Sequence, residues 1–176
     1  MRLLFEMDKK DYENCTHTFV RNSARSVIIK GGAVAMVHSQ QYDYYKFPGG
    51  GIEENEDPEE ALVRETLEEA GLVIIPESIK EYGYVHRIQK SDRDETECFV
   101  QDNYYYLCNV KGDTVAQCLD DYEAAEQYTL EYVDPMCAIK KNRSVLASPH
   151  NRMMFEREAK VLELLKAEGF LDDTIN

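Results

Sequence analysis

Short apolar runs separated by polar turns dominate the first half of the chain, a pattern that predicts strands rather than helices. Leu3 to Met7, Ser26 to Ile29 and Ala33 to His38 read as strands, the last two joined by a Gly31-Gly32 hairpin turn. The pattern then breaks at Phe47-Pro48-Gly49-Gly50-Gly51, where proline and three glycines predict irregular backbone with no ordinary strand or helix. A helix follows: Asp57 is placed as its N-cap, Pro58 at its first position, Glu60 to complete a capping box, and Gly71 to end it in a left-handed cap. Leu62, Val63, Thr66, Leu67 and Ala70 share one arc of that helix, enough to bury against a sheet.

Further strands are expected at Leu72 to Ile75, Ile79 to Ile88, Phe99 to Val110 and Thr129 to Val133, with a charged loop from Gln89 to Glu97. A short helix is expected from about Pro135 to Lys141. Ser148-Pro149 reads as the start of a last helix spanning about residues 149–168, with Phe155, Ala159, Leu162 and Leu165 at three- and four-residue spacing. That apolar stripe exceeds what one small sheet covers, which leads us to expect a homodimer. With no linker, repeat or low-complexity tract, a single α/β domain over residues 1–176 accounts for the chain.

Composition is ordinary for a globular protein, but 34 Asp and Glu against 20 Lys and Arg give a net charge of -14. Such a surface repels phosphate backbones, so duplex nucleic acid is not an expected partner, and an anionic substrate calls for a mediating cation. The five cysteines are widely spaced without a Cys-x-x-Cys pair, which fits neither a disulfide framework nor a structural zinc site. No apolar run approaches a membrane span, and a cytoplasmic protein is expected.

Within the central helix, Glu65, Glu68 and Glu69 fall on one side at spacings of three and four. Crowded carboxylates near a helix C-terminus destabilise it, so the arc is either a solvated acidic face or the ligand set of a hard divalent cation. The surrounding segment, GGIEENEDPEEALVRETLEEAGL from Gly50 to Leu72, resembles the Nudix box: Gly50, Glu56, Arg64, Glu65, Glu68, Glu69, Gly71 and Leu72 match in register. Thr66 stands where that family usually carries a bulky aliphatic residue.

The resemblance implies a Nudix-like α/β/α sandwich, a mixed sheet flanked by helices. It implies Mg²⁺ or Mn²⁺ on Glu65, Glu68 and Glu69, with a backbone carbonyl near Gly49 or Gly50. Arg64 and Glu56 are implied as the pair that orients the loop and the catalytic glutamates. It further implies hydrolysis of a diphosphate linkage in a nucleoside diphosphate derivative, with a non-catalytic nucleotide or metal sensor as the alternative. Arg25 and Lys46 are candidate contacts for a substrate phosphate, and Glu123 or Glu126 for an additional carboxylate. An oxidised nucleoside triphosphate, a sugar nucleotide and a dinucleoside polyphosphate all remain open as substrates.

Overall fold

The computed structural model describes residues 1–146 and 148–172. The strands are β1 (Leu3–Asp8), β2 (His17–Val20), β3 (Ser23–Val27), β4 (Ile29–Lys30), β5 (Ala33–Ser39), β6 (Tyr44–Lys46) and β7 (Gly49–Gly51). They continue after helix α1 (Pro58–Ala70) with β8 (Leu72–Ile74), β9 (Lys80–Lys90), β10 (Glu97–Leu107) and β11 (Val110–Thr114). The remaining elements are α2 (Asp121–Ala125), β12 (Tyr128–Val133), α3 (Pro135–Ser144) and α4 (Arg152–Ala167).

A six-stranded mixed sheet runs β1-β9-β10-β3-β7, with β2 also on β10. The β9–β10 pair is antiparallel and forms its backbone, while β3 lies parallel to β10. A second sheet, β12-β5-β4 with β6 on β5, packs alongside, and β8 pairs with β11. One core gathers Val34, Met36, Phe47, Val85 and Tyr105 under α3 and α4; another gathers Ala24, Val37, Tyr44 and Tyr106 under α1. Helices therefore flank the sheets on both sides, as a Nudix-like sandwich requires. No helix among the described residues is long and apolar enough to cross a membrane.

Several expectations are corrected. The three-glycine run is not irregular: β7 pairs antiparallel with β3, and β3 itself starts at Ser23 rather than Ser26. Gly49 adopts φ 133°, and a Cβ there would overlap the Ala24 carbonyl, so the glycines let two backbones close together where a side chain would keep them apart. Helix α1 carries its Asp57 cap and ends at Gly71 (φ 64°), but the cap bonds the Glu59 amide and Leu67 is exposed, while Glu69 joins the buried face. Helix α4 starts at Arg152 behind an Asn151 cap rather than at Ser148-Pro149. Its stripe of Phe155, Ala159, Leu162 and Leu165 is buried against the chain's own core, so it supplies no face for a homodimer.

Thr66 occupies the buried face of α1 with a hydroxyl that has no hydrogen-bond partner. An unsatisfied buried hydroxyl costs about 1 to 3 kcal/mol, whereas valine has nearly the same shape without it. Thr66→Val is expected to stabilise the protein by about 1 kcal/mol, raising the melting temperature by about 2 to 4 °C. An unchanged or lower melting temperature would show that the hydroxyl is satisfied in solution.

Candidate active site

The carboxylates of α1 are held by different cations. Arg64 lies at the centre of one set: its Nε and one Nη donate to the two Glu56 oxygens at 2.8 Å each, and it also bonds the Gly51 carbonyl at 3.2 Å. Its other Nη donates to Glu65 at 2.7 Å and Glu68 at 3.3 Å. The bidentate fork holds Glu56 well below the usual carboxylate range and ties the loop after β7 to the helix. Arg64 thus bonds Glu56 on the loop and Glu65 and Glu68 on the helix at once. The Glu65 carboxylate lies directly against Gly50, where a Cβ would overlap it.

Glu69 is separate from that set, although the helical wheel puts it in the same arc. It is 1% exposed, ion-paired to Lys46, and accepts the Gly49 amide at 3.0 Å. Burial pushes its carboxyl up to about 7, with Lys46 and Arg25 pulling the other way and Glu123 adding to the rise. Burial is the largest influence and would depress the Lys46 ammonium, but Glu69 and Tyr128 together raise it above its ordinary value; Lys46 also lies over the Tyr128 ring at 4.6 Å. Lys46 is therefore the counter-ion of Glu69 rather than a free hand for substrate.

Arg25 is buried and donates to the carbonyls of Phe47 and Gly49, bracing the glycine strand; its Nε has no partner and it lines the cleft. Glu123 lies beside Glu69, oriented by the Asp120 amide at 3.0 Å and the Tyr122 hydroxyl at 2.9 Å. Burial opposes its charge, but Glu69, the Asp120 amide, Lys46 and Tyr122 together keep its pKa below the ordinary value. Glu126 is consumed by structure, accepting from Ser39 (3.0 Å) and Tyr44 (2.8 Å) and bonding His150 at 2.6 Å. Of the two carboxylates considered outside the box, Glu123 alone is brought to Glu69.

The oxygen donors of Glu65, Glu68 and Glu69, with the nearby Gly50 backbone, have the chemistry that a hard divalent cation takes. Among the described residues no three acidic, histidine or cysteine side chains converge closely enough to hold an ion; Arg64 and Lys46 pair with these carboxylates instead. Beside this cluster opens a cleft of about 520 Å³. Its walls carry Arg21, Arg25, Lys46, Arg87, Arg93 and Arg157 against only Glu69 and Asp92, a reversal of sign in a chain of net charge -14. Sequence reasoning missed most of this wall, because β3, β6, β9, α4 and the segments that follow β2 and β9 supply it from distant parts of the chain.

The fold and the box geometry define a class, and the comparisons agree: the NUDIX domain model matches residues 20–148, so the chain belongs to the Nudix family. A curated relative, the RNA pyrophosphohydrolase of Stenotrophomonas maltophilia (strain R551-3), is 31% identical over 113 residues, covering 58% of this chain and 53% of the relative. The chain thus matches about half the length of that protein. Similar solved structures include a NUDIX hydrolase from Nitrosomonas europaea, with TM-score 0.57, 16% identity, and coverage of 81% of this chain and 90% of that one. The MutT protein of Bacillus halodurans has TM-score 0.53 and 13% identity, with 77% and 80% covered. At these identities the two structures support the fold alone.

Proposed function

We propose that the chain hydrolyses the diphosphate linkage of a nucleoside diphosphate derivative with the aid of Mg²⁺ or Mn²⁺. The observation that carries this reading is the juxtaposition of the box carboxylates with a cation-lined cleft in an otherwise acidic protein. Glu65, Glu68 and Glu69, with the Gly50 carbonyl, would hold the cation, which when bound supplies Lewis acidity at a phosphoryl oxygen. Arg64, anchored on Glu56, bonds both Glu65 and Glu68 and keeps Glu65 against the glycine strand. Arg25, which lines the cleft, contributes positive charge where the anhydride lies, while Lys46 pairs with Glu69. Glu123 is the additional carboxylate, placed to accept a proton from an attacking water.

A release assay over a panel of nucleoside diphosphate derivatives with Mg²⁺ tests this reading. A 5′-triphosphorylated RNA end belongs in the panel because one relative bears the name RNA pyrophosphohydrolase. Binding without turnover of any member would favour a sensor. The metal has its own expected signature. At 100-fold over its Kd, Mg²⁺ should stabilise the fold by about 2.7 kcal/mol, a rise in melting temperature of about 5 to 10 °C. Excess chelator should remove both the rise and the activity; full activity in chelator would rule out the metal-dependent mechanism.

A further inference from the structure

We infer that the end of the cleft away from the box is a subsite for a second nucleotide unit, with Arg87 taking its phosphate and the Phe19–Phe99 ring pair its base. This rests on the hydrolysis reading only in saying what lies beyond the cleaved bond. Arg87 is 8% exposed, and its Nε has no hydrogen-bond partner. Its one side-chain bond is to the neutral Gln89 oxygen at 3.0 Å, and among the described residues no carboxylate lies within 4.0 Å of it. The nearby Asp92 carboxylate is occupied by Asn151 at 2.9 Å and Gln89 at 3.4 Å. Arg157, also buried, differs: Glu158 neutralises it.

A buried guanidinium without a counter-ion costs several kcal/mol, more than the Phe99 ring beneath it at 5.3 Å returns. Such a group in a cleft wall suits an incoming anion. Strand register fixes where that anion would lie. On β10, Tyr105 pairs with Arg25 of β3, Gln101 with Arg87 of β9, and Phe99 with both Gln89 and Phe19. Four residues along β10 and two strands across place the Arg25 and Arg87 Cα atoms on the order of 17 Å apart. A single diphosphate does not span that gap, so the anion on Arg87 is not the group beside Glu69.

Beyond Arg87, farther from the box, the rings of Phe19 and Phe99 lie 6.1 Å apart at 46°, and Phe19 is 39% exposed. An exposed aromatic face next to an unpaired guanidinium suits a planar base with its phosphate attached. Two kinds of substrate carry a nucleotide at that remove from a cleavable anhydride: a dinucleoside polyphosphate and the 5′ end of an RNA. Both present the same chemistry to Arg87.

Calorimetric titration with AMP in chelator, where no turnover occurs, tests the subsite. AMP should bind the wild type more tightly than adenosine or inorganic phosphate does, and Arg87→Gln should weaken AMP at least tenfold. Phe99→Leu should weaken it about tenfold as well, which keeps the test open if the arginine variant does not fold. AMP binding that neither substitution changes would overturn the subsite. With turnover, Arg87→Gln should raise KM and spare kcat for diadenosine tetraphosphate or for the 5′-triphosphorylated dinucleotide pppApA, and whichever responds identifies the source. If no member of the nucleoside diphosphate panel is hydrolysed while AMP binding still depends on Arg87, the hydrolysis reading fails and the subsite stands. If hydrolysis occurs while AMP binding is indifferent to Arg87, the hydrolysis reading stands and the subsite fails.

Discussion

Glu65→Gln is expected to lower turnover about 10²- to 10³-fold, a loss of about 3 to 4 kcal/mol of transition-state stabilisation, while leaving the melting temperature nearly unchanged. Glutamine keeps an oxygen for the Arg64 bond at 2.7 Å and occupies the same space against Gly50, but it removes the charge that would hold a cation. Glu69→Gln should lose as much activity and also destabilise the fold. It would leave the buried Lys46 ammonium without its counter-ion, and breaking such a pair costs about 3 to 5 kcal/mol. From the helical wheel alone, a substitution at Glu69 would be expected to spare folding; its burial reverses that. Glu59, exposed in the first turn of α1, is the control, with an expected change of less than about twofold. Equal, small losses at Glu65 and Glu59 would mean that the Glu65 carboxylate holds no catalytic cation.

The box was legible because its signals are local. Asp57, Pro58 and Gly71 mark a helix through backbone chemistry confined to a few residues, and the 3.6-residue period then groups the glutamates by angle, though not by burial, since Glu69 turns inward to Lys46. The glycine strand was not legible, since three residues without side chains have no period to read, and their pairing depends on β3 approaching from elsewhere. The cleft wall was hidden for a different reason. Its cations lie on strands whose register brings them together, and no spacing along the chain encodes that. One signal was available: Val85, Arg87 and Gln89 alternate along β9, so the inward face passes from apolar to polar within one strand, as it does where a core gives way to a site. The α4 stripe was seen correctly as apolar, but not the charged pair within it. Neighbouring residues on a helix face different ways, and only the long Arg157 side chain, folding back, brings the two charges together.

That pair gives the second large effect, expected on stability. Glu158 is fully buried and accepts from Arg157 at 2.9 Å and 2.5 Å, from the Phe47 amide at 3.0 Å and from the Tyr105 hydroxyl at 3.4 Å. It therefore joins α4 to the segment that leads into the glycine strand. Glu158→Gln keeps an acceptor for the Phe47 amide but strands a guanidinium that is 2% exposed, so a loss of about 3 to 5 kcal/mol is expected. For a chain of this size that is a fall in melting temperature of about 6 to 20 °C. The double variant Arg157→Met with Glu158→Gln removes both charges and should recover most of the loss, because a buried pair replaced as a unit by groups of similar volume is often neutral. The coupling between the two positions, read from denaturant melts of the two single variants and the double, should then amount to at least about 2 kcal/mol. Additive losses would show that each side chain acts alone.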